Sequence, residues 1–406
     1  MEIGLYSQTL IWFFVIALIF GALANKTNFC TMGAVADWAN FGDLNRMRSW
    51  VLAIAFTVIG VGVLEYLGML DMSLTTSNDT STPPYRFSTF VWLRHLVGGV
   101  MFGIGMSLAS GCGNKTLVRL GEGNLKSLVV LLMITASASL MFFTSFDYNL
   151  FLQWMNPLSI DFGAMGAEGQ DIASIVSVVA EVEDTPTLRL AVPLLVGGIQ
   201  LIWVFMSADF RQEKLLMVTG VVIGSLALLG WYLTAGPQGL ELIEELDFMD
   251  NPPYASGAQS VTFIGPTAHL AQYIYSGFEF AYLSLGVALV FGVVTGSFLY
   301  TLIFRSIRLE WFVTWDDFFR HVIGGILMGI GGVLALGCTI GQGITGFSTM
   351  AIGSFVSIAG IVVASMMTMK YQYYSMVHED SSVFDIFVTV LADMHFLPGK
   401  FRRLED

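Results

Sequence analysis

Charge is scarce in this sequence. Only 12% of its 406 residues are Asp, Glu, Lys or Arg, about half of the roughly 25% usual in soluble domains. With 55% hydrophobic residues and a mean hydropathy of +0.71, that scarcity excludes a soluble globular domain and describes a polytopic membrane protein. Cysteine is rarer still, at three. The number is odd and none lies in an extracellular-looking loop, so no disulfide framework is expected. No HExxH, GxSxG or paired-histidine arrangement occurs. Residues 111–116 (GCGNKT) lack the glycine spacing of a phosphate loop, which excludes an ATP-driven pump in a single chain. No enzyme activity, cofactor, metal or nucleic acid is expected.

Basic residues are missing from two stretches. Residues 146–188 hold seven acids and no Lys or Arg, and 236–277 hold five acids and again neither. By contrast, 302–320 carries Arg305, Arg308 and Arg320, and the end carries Lys400, Arg402 and Arg403. The positive-inside bias therefore predicts both acidic loops outside, with the 302–320 turn and the C-terminus in the cytoplasm. Net charge is −13.

What the chain does have is apolar runs of about 20 residues, enough to cross a hydrocarbon core. They lie near 9–25, 48–70, 92–111, 125–145, 189–207, 215–235, 278–303, 319–337 and 350–370. The first lacks a basic n-region and is read as a retained helix rather than a cleaved signal. A tenth, weaker run near 380–397 contains Asp385, Asp393 and His395 and predicts an interfacial helix. The expected fold class is an all-α polytopic membrane protein with about nine transmembrane helices plus broken or re-entrant segments.

One stretch occurs twice. RHLVGGVMFGIGMSLASGC (94–112) and RHVIGGILMGIGGVLALGC (320–338) align without a gap at an offset of 226 and share eleven of nineteen residues. The matches run from Arg94-His95 and Arg320-His321 to Cys112 and Cys338. We read a single membrane transport domain of two pseudo-symmetric, inverted halves, roughly 1–145 and 215–370. The linking segment 146–214 carries the first acidic loop. FGVVTGSF (291–298) loosely echoes FGALANKTNF (20–29). Gly99/Gly103 and Gly325/Gly329 form GxxxG pairs that let helices approach closely. The Arg-His pairs are read as structural anchors of the repeated helices.

Each cysteine falls where an apolar run gives way to Gly, Thr and Asn: NFCTMG at 28–33, SGCGNK at 110–115 and GCTIGQ at 337–342. The glycines at 111–113 and 341–346 are expected to break a helix. Broken helices at membrane depth line cavities, and their N-termini offer free N–H groups to an anion. The candidate path residues are Cys30, Cys112 and Cys338, with Thr31, Gly111, Gly113, Asn114, Lys115, Thr116, Gly337, Thr339, Gly341, Gln342 and Gly343. Thiols are weak donors and soft acceptors suited to an anion with a terminal sulfur. As thiolates they would suit a soft cation such as Cu(I). No acid lies within five positions of any cysteine, which disfavours the cation. Lys115 and Arg119 favour an anion, although a charged anchor at a helix end would look the same.

Three motifs, NFCTMGAVAD (28–37), SGCGNKTLVRLGEGNLKSL (110–128) and GCTIGQGITGFSTMAIGS (337–354), resemble the YeeE/YedE family of bacterial inner-membrane sulfur transporters, in order and over nearly the whole chain. The resemblance implies thiosulfate uptake across the cytoplasmic membrane through an hourglass-shaped helical protein with inverted halves. It also implies that Cys30, Cys112 and Cys338 relay thiosulfate by transient S–H···S contacts. A small cytoplasmic sulfurtransferase of the TusA type is the implied partner. Other sulfur or selenium species, and a membrane sulfurtransferase forming a cysteine persulfide, remain the alternatives.

Overall fold

The computed structural model describes residues 4–249, 251–378 and 380–404. Seventeen α-helices run in order: α1 (Leu5–Thr27), α2 (Thr31–Phe41), α3 (Asn45–Tyr66), α4 (Trp92–Leu108), α5 (Gly113–Gly121), α6 (Leu125–Phe143), α7 (Gln153–Met155), α8 (Ile172–Val179), α9 (Pro186–Phe205), α10 (Ala208–Gln212), α11 (Lys214–Ala235), α12 (Pro237–Asp247), α13 (Ile264–Tyr275), α14 (Leu285–Ile303), α15 (Trp315–Leu334), α16 (Ile352–Val377) and α17 (Val383–Asp393). The only sheet among the described residues is a two-residue pair, β1 (Thr89–Phe90) against β2 (Ile160–Asp161). Among the described residues nine helical segments are long and apolar enough to cross a membrane. They fall on the nine apolar runs of the sequence. At 1.5 Å per residue the shortest, of 19 residues, spans roughly 28 Å. This is an all-α, multi-pass membrane protein. Its outer surface carries the apolar side chains that lipid requires, such as Ile19, Leu195, Ile199 and Ile202, all more than 40% exposed. The 380–397 run forms α17, whose 11 residues are too few to cross.

α4 and α15 cross at the centre, antiparallel and with reciprocal contacts. A side chain at Gly98 would meet the Gly331 carbonyl at 2.8 Å, and one at Gly331 the Gly98 carbonyl at 2.6 Å. Gly105 and Gly324 stand in the same relation at 2.7 Å both ways. Backbones this close leave no room for a Cβ. The outer flanks are matched too, with Gly99 and Gly103 set against Ser357 and Ile361 of α16, and Gly325 and Gly329 against Val130 and Ile134 of α6.

Loop contacts give the two ends. β1–β2 joins 67–91 to 144–185, and an Ser81–Ala258 bridge joins 67–91 to 236–284, so these segments share one end. An Asn124–Glu310 bridge joins the turns at the other end. At the first end Arg86 is 3% exposed. It donates to Glu65 at 2.8 and 3.0 Å and to the Thr349 carbonyl at 2.9 Å. Arg189 holds Asp184 at 2.6 Å. These pairs pin the acidic loop onto the spans.

Two expectations need correction. The 236–277 stretch is not simply an external loop. It forms α12 and then α13, whose first turn is buried apart from Gly265 and whose Ile264 packs against Gly332 and Gly113. Its apolar content (VTFIGPTAHLAQYIY) lets it enter the bundle. The glycines at 341–346 do not break a helix: the segment 339–348 stays helical and widens to a π-helix over Gly341–Gly346. There the glycines fit tight surroundings, with a Cβ on Gly343 falling 2.4 Å from the Trp50 ring and one on Gly346 falling 2.5 Å from the Ser354 hydroxyl.

Candidate functional site

The three cysteines occupy one local motif, built three times. Each precedes the first turn of a short helix: Cys30 caps α2, Cys112 caps α5, and Cys338 precedes 339–348. The first intrahelical bond is the same in all three. Ala34 donates to the Cys30 carbonyl at 3.0 Å, Thr116 to Cys112 at 2.9 Å and Gln342 to Cys338 at 2.7 Å. Two residues before each cysteine the backbone turns left-handed, at Asn28 (φ 51°), Ser110 (φ 55°) and Leu336 (φ 61°). That turn ends the preceding span and re-aims the chain, so each thiol sits beside free N–H groups of a new helix start.

All three thiols are free and buried, Cys30 at 6% exposure and the other two at 0%. Cys30 Sγ lies 3.4 Å from Cys112 Sγ, and Cys112 donates to Asn114 Oδ1 at 2.7 Å. Because the Cys112 proton goes to Asn114, Cys30 is the donor between the two sulfurs. Cys338 accepts from the Gly341 N–H at 3.4 Å. A Cβ on Gly113 would fall 4.0 Å from Cys338 Cβ, so α5 begins against the third cysteine. The Thr339 hydroxyl sits beside Cys112 without a hydrogen bond of ordinary geometry.

Polar atoms of residues beside the thiols are left without partners: Thr31 Oγ1, Asn114 Nδ2 and Thr339 Oγ1. A buried polar atom without a partner costs about 1–3 kcal/mol, so three of them beside the thiols suit a polar guest. The other candidates have assigned contacts. The Lys115 ammonium donates to Asn28 Oδ1 at 2.9 Å and faces Glu122 at 3.6 Å, in a residue 7% exposed. That burial corrects the reading of Lys115 as a surface anchor. Thr116 bonds the Cys112 carbonyl, and the Gln342 amide donates to the Ala335 carbonyl. The Gly341 carbonyl accepts from Tyr85 at 2.8 Å. A Cβ on Gly111 meets only the Lys115 and Arg119 side chains. Gly343 packs on Trp50 away from the thiols.

A cavity opens toward the thiols from each end. The larger, about 490 Å³, lies at the acidic-loop end and reaches Leu336 and Gly337, next to Cys338. The smaller, about 200 Å³, reaches Ala109, Ser110 and Thr116, beside Cys112. Ser110 and Leu336 are the same position of the duplicated stretch. Several participants were invisible in the sequence. Tyr85 and Ile264 come from segments far from the cysteine motifs, and Asn28 and Glu122, although inside those motifs, gave no sign of their contact with Lys115.

Among the described residues no group of three His, Cys, Asp or Glu could hold a metal ion. Two proteins called thiosulfate transporter TsuA are similar to this chain. The one from Escherichia coli K12 is 28% identical over 373 residues, covering 86% of this chain and 91% of its own. The one from Spirochaeta thermophila is 23% identical over 359 residues, covering 84% and 93%. Residues 26–367 match the family described as sulphur transport, and with its triplicated cysteine turns at the waist between two cavities, the chain belongs to that family of membrane transporters.

Proposed function

We propose that this protein imports thiosulfate across the bacterial cytoplasmic membrane, passing it along Cys338, Cys112 and Cys30. The observation that carries the reading is the stack of three buried free thiols, each at a helix start, between two opposed cavities. Thiosulfate presents oxygens to N–H groups, to the unpartnered Thr31 and Thr339 hydroxyls and to the Asn114 amide N–H. Its terminal sulfur accepts S–H bonds, so it keeps partners at each step. The named activity of both relatives agrees with this substrate.

Charge gives the orientation assumed in this reading. Arg86, Arg94 and Arg189 are the basic residues at the acidic-loop end, and the other fifteen of 18 lie at or toward the opposite end. The positive-inside rule makes that opposite end cytoplasmic. The larger cavity then faces outward, and a TusA-like acceptor would meet the cytoplasmic one. The reciprocal Gly98–Gly331 and Gly105–Gly324 contacts support inverted repeats, with halves at 1–145 and 215–370. In such a scheme α1 and α14 are not equivalents, because they run parallel: Tyr6 bonds Leu283 and Asn25 bonds Ser297.

The test is growth on thiosulfate as sole sulfur source of a strain lacking other sulfur uptake systems. Rescue by the intact gene and not by Cys112→Ala is expected. Rescue by both would keep the transporter and remove the relay. Rescue by neither, with protein in the membrane, would reassign the substrate to another sulfur or selenium species.

A further inference from the structure

The outward cavity contains a cation that the relay does not use. Arg94 lines it, and its guanidinium bonds only backbone carbonyls, Leu334 at 2.9 Å and Val333 at 3.5 Å. Asp79 and Asp147 also line the cavity, yet neither forms an ion pair with Arg94. Asp79 accepts from the Ser77 hydroxyl and Asp147 from the Tyr148 N–H. The inward cavity holds two cations: Lys126 is paired with Asp317 at 2.6 Å, and Arg119 donates to the Ser110 carbonyl at 2.7 Å.

A second group points the same way. His269 lines the outward cavity, is 3% exposed, and its Nε2 has no partner. Its Nδ1 lies 3.3 Å from the Ser284 hydroxyl. That hydroxyl accepts from the Val287 N–H and, in the tautomer with the ring proton on Nε2, donates its own proton to Nδ1. Nε2 is then a buried donor left unspent on the same cavity. The floor of that cavity, Leu336 and Gly337, adjoins Cys338.

Resting on the transport reading above, we propose that Arg94 and His269 form an outer capture site for a divalent sulfur oxyanion, occupied before the first thiol. A guanidinium fork matches a pair of oxyanion oxygens. This site therefore selects for charge and oxygen, and the cysteines select for sulfur. Sulfate should bind here without being carried.

The test is initial-rate uptake of labelled thiosulfate into proteoliposomes, with and without sulfate. Arg94→Gln should raise KM about tenfold or more while the maximal rate stays within about threefold. Arg94→Lys should fall between, and His269→Phe, which keeps the ring packing against Tyr254, should raise KM several-fold. Sulfate should compete in the wild type and lose that competition in Arg94→Gln. Unchanged KM and unchanged sulfate inhibition in Arg94→Gln would overturn the site and leave the transport reading standing. If Arg94→Gln does not reach the membrane, His269→Phe and Arg94→Lys decide on the same readouts. If the wild type takes up no thiosulfate, the transport reading fails. Calorimetric binding of sulfate to purified wild type and Arg94→Lys then judges the site alone: tight binding weakened by the variant supports it, and no binding overturns it.

Discussion

At the scale of single residues, the unpartnered polar atoms around the thiols separate a structural role from a functional one. The Thr339 hydroxyl is fully buried beside Cys112 and bonds to nothing, and Thr31 is in the same condition next to Cys30. Replacing such a group by an isosteric apolar one removes a desolvation penalty rather than a bond. Thr339→Val and Thr31→Val should therefore hold or raise the melting temperature in detergent while cutting thiosulfate uptake several-fold. Falling stability with intact uptake would make these hydroxyls ordinary core groups. Lys115 is the opposite case. Its ammonium joins the Asn28 turn to Glu122, so Lys115→Met should cost stability, on the order of 1–3 kcal/mol by thermal or denaturant unfolding, because the partners keep their polarity and lose its charge. The chain spacing of cysteine with Gly, Thr and Asn made the candidates legible. It did not show that Lys115 is buried, since its partner Asn28 lies 87 positions away.

At the scale of elements, the central pair is held by absence of side chains. A Cβ on Gly98 would lie 2.5 Å from the Ala335 nitrogen. Backbone cannot yield as a flexible side chain would, so Gly98→Ala must push α4 and α15 apart, at a cost of about 1–3 kcal/mol or more. Gly111→Ala is the matched control, since its nearest neighbours are side-chain atoms 3.5–3.6 Å away and it should change stability by about 0.5 kcal/mol at most. Equal melting temperatures for both variants would contradict the packing argument. Legibility follows the same physics. Nine spans were readable because lipid demands some 20 apolar residues from each, whatever its neighbours are. The breaks at Asn28 and Ser110 were readable because a cysteine within small polar residues cannot continue an apolar run. α13 was not readable as a buried element: its 12 residues are too short to announce a span, and its burial depends on α6 and α14, which lie far from each other in sequence. The π-helix at Gly341–Gly346 was misread as a break because glycine propensity favours disorder in isolation, while close packing against Trp50 and Ser354 decides the outcome in the fold.

At the scale of the whole molecule, a polar clamp closes the acidic-loop end and a glycine-packed pair fixes the centre. Asp171 belongs to the clamp. Burial pushes its carboxyl up, but Arg86 and the Ser174 hydroxyl and N–H more than offset this and hold it below the ordinary carboxylate range. A folded-state value below the unfolded one adds stability that is present above about pH 4 and lost as pH falls below it. The melting temperature should thus drop more steeply between pH 5 and pH 3 in the wild type than in Asp171→Asn, which starts lower and is flatter. The centre bears on mechanism. Two cavities already approach the thiols from opposite ends, and α4 and α15 meet backbone to backbone between them; the proposed relay therefore calls for thiol and hydroxyl rotations and no rocking of α4 against α15. Packed interfaces of this kind are bistable rather than continuously deformable; a rocking transporter would have to unseat the Gly98–Gly331 and Gly105–Gly324 contacts in every cycle. Hydrogen exchange of purified protein discriminates. Amides of Trp92–Leu108 and Trp315–Leu334 should exchange at the same rates with and without saturating thiosulfate, while the first turns after Cys30, Cys112 and Cys338 become protected. Reciprocal protection and deprotection of α4 and α15 on adding thiosulfate would replace the fixed waist by alternating access.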